Sequence, residues 1–123
     1  MIERVCMSFP TRERYVNAGD HPCEVVGEGV RRQILGFDQH LMMVRVQFEK
    51  GAIGYVHHHP HRQVTYIEGG AFDVTIGDEK KTQVAGDCYF IPPDVPHGVV
   101  ALEKGSLLDV FAPAREDFVA SKA

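Results

Sequence analysis

Turn signals recur about every ten residues from Val30 onward, and this spacing limits the chain to short β-strands. Glu49-Lys50-Gly51, Gly69-Gly70, Gly77-Asp78-Glu79 and Ala85-Gly86-Asp87 each interrupt a short apolar or alternating run. Such punctuation leaves no room for a long helix before residue 112. It predicts strands over 30–35, 41–48, 52–59, 63–68, 71–76, 80–84, 88–91, 97–102 and 106–111. In the second of these, Met42, Val44, Val46 and Phe48 share one parity, while Arg45 and Gln47 share the other. Phe72, Val74 and Ile76 alternate with Asp73 and Thr75 in the same way. A period of two puts one set of side chains on a buried face. Pro92-Pro93-Asp94-Val95-Pro96 lacks ladder donors and reads as a rigid turn. Pro113 suits the first turn of a short terminal helix. The chain therefore reads as all-β and single-domain. Residues 1–29 form an N-terminal arm with candidate edge strands, 30–112 the barrel, and 113–123 a C-terminal tail with a short helical turn.

The chain has 123 residues, 44% of them hydrophobic and 24% charged, enough for one real core. Its net charge of -4 argues against nucleic acid and against docking on an anionic membrane. No apolar run approaches the roughly 18 residues of a spanning helix. The segment Met1-Ile2-Glu3-Arg4-Val5-Cys6 lacks the pattern of a signal peptide. Cys6, Cys23 and Cys88 are odd in number, far apart and without a CxxC pair. Reduced thiols in a cytoplasm are the simplest expectation.

Four of the seven histidines fall at His57, His58, His59 and His61. On a strand, His57 and His59 share a face and His58 takes the other. Two imidazoles at that spacing can chelate one ion. Gln63, past the Pro60 bend, can add a carbonyl oxygen, and His97 follows the rigid turn as a fourth candidate. Three neutral imidazoles and one amide oxygen leave a divalent transition ion with open positions for substrate. Zinc, nickel, iron, copper and manganese all suit such donors. The spacing alone leaves a second reading open, a solvated histidine loop with His97 in the core. His61 has inward parity beyond the bend and is a candidate substrate contact.

Leu107, Asp109 and Phe111 share a face of the last strand. If that face lines the barrel, Asp109 is the proton-transfer group. Burial would raise its pKa and a nearby cation would lower it, so the direction stays open. The alternatives are a paired structural acid at Asp109 and core filler at Phe111. Arg115 can hold a substrate carboxylate in two hydrogen bonds, or pair with Glu116 or Asp117 instead. Arg45 and Gln47 either line a polar cavity as substrate contacts or are solvated. Arg62 and Tyr66 are weaker candidates of the same type.

Periodicity fits lipocalin-like and jelly-roll barrels equally. Two motifs narrow the choice. The segment from Gly51 through His57, His59 and Gln63 to Gly70 resembles the first cupin motif, and Gly86 through Pro92 to His97 resembles the second. Gln63 stands for the usual Glu, Asp94 for a Gly and Ala101 for the closing Asn. The resemblance implies a cupin double-stranded β-helix, or jelly-roll barrel, with metal at His57, His59, Gln63 and His97. The amide at 63 cancels no charge of the ion, which favours Lewis-acid chemistry over oxygenase chemistry.

Residues 41–44 with 48–52, the HxH with Gln63, His97-Gly98-Val99-Val100, and Asp109 through Phe118 resemble the KdgF-type pectin-degradation cupins. In that family Gln takes the Glu position. The likeness implies that Asp109 and Phe111 serve the activity and that Arg115 lies in the pocket. The implied activity is opening of 4,5-unsaturated uronate monosaccharides, released by pectate or alginate lyases, to the linear keto form. It implies a small anionic sugar-acid substrate and a homodimer paired through edge strands. The alternatives are a cupin oxygenase or lyase on another small organic acid, and a non-catalytic sugar-acid binding module.

Overall fold

Each alternating run forms a strand, and the strands gather into two antiparallel sheets. The computed structural model describes residues 13–120. Cys6 with the rest of 1–12, and 121–123 of the tail, lie outside the described residues. The strands are β1 (Glu24–Gly27), β2 (Val30–Phe37), β3 (Met42–Phe48), β4 (Ile53–His57), β5 (Arg62–Gly69), β6 (Ala71–Ile76), β7 (Glu79–Val84), β8 (Cys88–Ile91), β9 (His97–Ala101) and β10 (Gly105–Ala112). One helix, α1 (Glu116–Ala120), follows. One sheet has the order β1-β2-β3-β10-β5-β8 and the other β4-β9-β6-β7. This is the two-sheet jelly-roll arrangement. No helix among the described residues is long and apolar enough to cross a membrane.

The core sits where the inward parities meet. Phe48, Ile67, Phe72, Val74, Tyr89, Ile91 and Leu107 form one cluster. The Phe48 and Phe72 rings meet edge to face at 5.3 Å. Met42, Val44, Phe111 and Ala114 form a second cluster at one end. Burying a side chain of this size contributes about 1.5–3 kcal/mol. The clearest alternation is on β5, where Gln63, Thr65 and Ile67 are buried and Val64, Tyr66 and Glu68 exposed. The same parity that builds the core therefore aims Gln63 and Thr65 inward.

Two boundaries differ from expectation, and one edge strand lies within the N-terminal arm. The strand expected over 52–59 ends at His57, where pairing with β9 slips between Gly54 and His57. His58 to His61 form the bend that Pro60 requires. The strand β1 pairs with β2 as a sheet edge. None of its residues is fully buried, so no alternation marked it in the sequence. The terminal helix begins at Glu116 rather than beside Pro113.

Gly70 makes the β5–β6 turn with φ +83°, and a Cβ there would lie 2.7 Å from the Lys104 carbonyl oxygen. Gly86 also has a positive φ, +96°, but its Cβ would meet open space. Gly86→Ala should therefore cost only the left-handed strain, about 1–2 kcal/mol. Gly70→Ala should cost about 1–3 kcal/mol more for the clash. Urea unfolding of the two variants checks the order, and equal midpoints would contradict it.

Candidate metal centre

The bend and the cross-strand pairing bring three imidazoles together. His57 closes β4 and pairs directly with His97 on β9. Their ring centroids are 4.4 Å apart. His59 stands past the strand end, yet its ring lies 4.8 Å from that of His97. The three ligand atoms all lie within 4.8 Å of one another. His59 and His97 are buried, and His57 is exposed at the mouth.

Asp94 explains how the rigid turn reaches this place. Its φ of +63° is in the left-handed region, which glycine favours and Asp tolerates. Its backbone N–H donates to the His59 carbonyl at 2.8 Å. The turn that delivers His97 is thus fastened to the segment that carries His59. His58 points outward, with Nδ1 3.8 Å from Asp94 Oδ1.

Hydrogen bonding fixes which nitrogen each ring presents. Nδ1 of His57 faces the Tyr55 carbonyl at 2.9 Å, Nδ1 of His59 the His61 carbonyl at 3.2 Å, and Nδ1 of His97 the Val95 carbonyl at 2.9 Å. A ring nitrogen against a carbonyl oxygen carries the proton. Each Nε2 is then a lone pair, free to ligate. Nε2 of His97 is buried with no hydrogen-bond partner. Nε2 of His59 lies 3.0 Å from Gln63 Oε1. That oxygen is also an acceptor, since the Gln63 amide nitrogen donates to Thr65 Oγ1 at 2.9 Å and Asp109 Oδ1 at 3.3 Å. Two acceptors aimed at each other repel unless a cation sits against both. Burial pushes His97 down to about 4 and, with the Arg115 charge, lowers His59. Both rings are therefore neutral at neutral pH, as ligation requires. Three imidazole nitrogens and one amide oxygen are a donor set that fits a divalent transition ion.

Asp109 faces this group. Thr65 Oγ1 donates to its Oδ1 at 2.6 Å, and the Gln63 amide donates to the same oxygen. Burial raises its carboxyl to about 6, against those two hydrogen bonds and the Arg115 charge. A cation bound at the three imidazoles would lower it again. Phe111 is buried in the second core cluster, and its ring also stands 5.7 Å from that of His59. Arg115 lies 5.1 Å from the Phe111 ring, but its fork is bonded to Asp117.

Arg45 and Gln47 do not join this group and line a separate depression on the other face of the sheet. The inward parity of β3 belongs to Val44, Val46 and Phe48, so these two face outward. Arg45 bonds Glu68 at 3.0 and 3.2 Å, and Gln47 accepts from Arg31. His61 stacks edge-on against His59 but is not one of the converging three. Arg32, Thr65, Tyr89 and Phe118 were not singled out in the sequence. Arg32, Tyr89 and Phe118 line the cavity with His57, His97 and Asp109, and Thr65 holds Asp109. The parity of Thr65 with Gln63, and of Arg32 with Val30 and Ile34, is the signal that would have found two of them.

Fold and site together define a class. Residues 44–111 match the family model described as Cupin domain, and the chain belongs to the cupin family. It is 44% identical over 108 residues to the pectin degradation protein KdgF of Dickeya dadantii (strain 3937), a match covering 86% of this chain and 98% of that protein. An RmlC-like cupin from Shewanella frigidimarina superposes with a TM-score of 0.84 at 46% identity, covering 86% of this chain and 96% of the other. KdgF from Halomonas sp. superposes with a TM-score of 0.82 at 35% identity, covering 86% and 98%.

One transition ion should bind per chain. His97→Ala should weaken it by more than the roughly 10–100-fold that loss of an outer hydrogen-bond partner costs. Competition against a chelator of known affinity measures this, and equal affinity in the variant would contradict the ligand set.

Proposed function

We propose that this cupin acts in pectin or alginate catabolism, converting 4,5-unsaturated uronate monosaccharides to their linear keto form with the help of one divalent ion. The observation that carries the reading is that Asp109 shares one cavity with His57, Gln63, His97 and two guanidiniums. The likeness to KdgF over nearly the whole of that protein supports the same pathway. The cavity is about 170 Å³. Pockets for drug-sized ligands run to roughly 300–1,000 Å³, so a single sugar acid suits it better than an oligomer.

His57, His59, Gln63 and His97 would hold the ion, which when bound supplies Lewis-acid polarisation of a substrate oxygen. Asp109 takes the proton of the anomeric hydroxyl as the ring C–O bond breaks. It returns that proton to the alkene carbon as the enolate becomes a ketone. No proton is consumed overall. Burial raises this carboxyl to about 6 and the bound ion would lower it, a balance that suits a group that must both accept and donate a proton. Thr65 and Gln63 both bond its Oδ1, so Oδ2 is left for the substrate. Phe111 walls the sugar ring, and Arg115 draws the anionic carboxylate into a protein of net charge -4. A reducing cytoplasm suits the free Cys23 and Cys88. A homodimer would cover the sheet edges that β1 and β4 leave open.

With metal-loaded protein, the ultraviolet band of the unsaturated uronate should decay faster than in buffer, without oxygen uptake. Asp109→Asn should slow it about 10²–10⁴-fold, the range of a general acid–base contribution. Decay equal to buffer, or strong oxygen consumption, would refute the reading.

A further inference from the structure

Two guanidiniums line the cavity, and they are held in the same way. Arg32, on β2, donates from Nε and Nη2 to Glu24 Oε1 at 2.8 and 2.6 Å. Arg115 donates from Nε and Nη2 to Asp117 at 3.0 and 2.8 Å. Both lie over the Phe118 ring of α1, with Cζ 3.9 Å from its centroid for Arg32 and 4.2 Å for Arg115. In each arginine an acid takes one edge and the aromatic ring takes a face. Nη1 of each has no hydrogen-bond partner among the described residues.

The placement of the charges is uneven. Arg32 and Arg115 line the cavity, whereas Glu24 and Asp117 do not. Asp109 is the one carboxylate among the lining residues. Two guanidiniums on one ring repel each other, and a tie between α1 and the sheet needs only one. An anion bound by both relieves that repulsion. The paired acids fix the forks from outside the cavity rather than filling it.

We infer that Arg32 is a second anion-binding residue of this pocket, acting with Arg115 through their Nη1 groups on the carboxylate of a small sugar acid. Phe118 is the positioning residue that sets the two side by side. The substrate class rests on the function proposed above, but the anion site does not need turnover to be seen.

The experiment is calorimetric titration of D-galacturonate, a saturated uronate, into the metal-loaded full chain at several salt concentrations. Arg32→Gln should weaken binding at least tenfold and make the dependence of log Kd on log salt shallower. A merely structural role for Arg32 would not change that slope. The double variant Arg32→Met with Glu24→Gln removes the pair together and leaves no lone partly buried charge. It should show the same loss, and it decides the matter if Arg32→Gln does not fold. Affinity within twofold of wild type, or a loss with an unchanged salt slope, would overturn the inference. Ultraviolet decay with unaltered galacturonate binding in the variants would sink this inference alone. Arg32-dependent binding without decay would sink the proposed reaction alone.

Discussion

Three backbone carbonyls govern the site. By accepting the Nδ1 protons of His57, His59 and His97, the carbonyls of Tyr55, His61 and Val95 turn three Nε2 lone pairs toward one point. Gln63 adds a fourth lone pair because its amide protons are already spent on Thr65 and Asp109. Each orientation is fixed by a neighbour that the fold supplies, so the donors need little ordering when a cation arrives. Without a cation the His59–Gln63 contact is repulsive and His97 Nε2 is an unpaired buried acceptor, an arrangement that costs free energy.

The same division of labour runs through the charges. The protein is acidic overall, yet its cavity gathers two arginines and a single aspartate whose burial weakens its ionisation. Glu24 and Asp117 hold the guanidiniums without entering the cavity. A weakly acidic carboxyl beside a cation-demanding cluster and two fixed guanidiniums is an environment for an oxygen-rich anion that must shift a proton. The jelly-roll contributes by stacking these groups on β2, β4, β5, β9 and β10, whose pairing is set by the apolar parity rather than by the site residues themselves.

Most of that frame was legible in the sequence because period-two alternation is a direct consequence of burying one face. Phe72, Val74 and Ile76 state their orientation without help, whereas on β5 the more apolar Val64 and Tyr66 face out and Gln63 and Thr65 face in. The HxH spacing was informative for a partly different reason. The strand carries only His57, and the Pro60 bend carries His59 back to the site, so simple alternation gave the right neighbours by an incomplete route. Asp94 shows that a motif glycine there answers to a backbone angle, which an aspartate can also adopt. Arg45 and Gln47 sit apart from the site because polar residues opposite an apolar parity face outward. The Arg32–Phe118–Arg115 stack was not legible, since it depends on a five-residue helix packing against a strand far away in sequence.

Nε2 of His57, His59 and His97 and Oε1 of Gln63 should surround one divalent ion. A crystal structure of the metal-loaded protein, with anomalous scattering at the metal edge, tests it directly. One peak per chain is expected, with these four atoms about 2.0–2.2 Å away. An ion bound elsewhere, or imidazoles ligating through Nδ1, would contradict it.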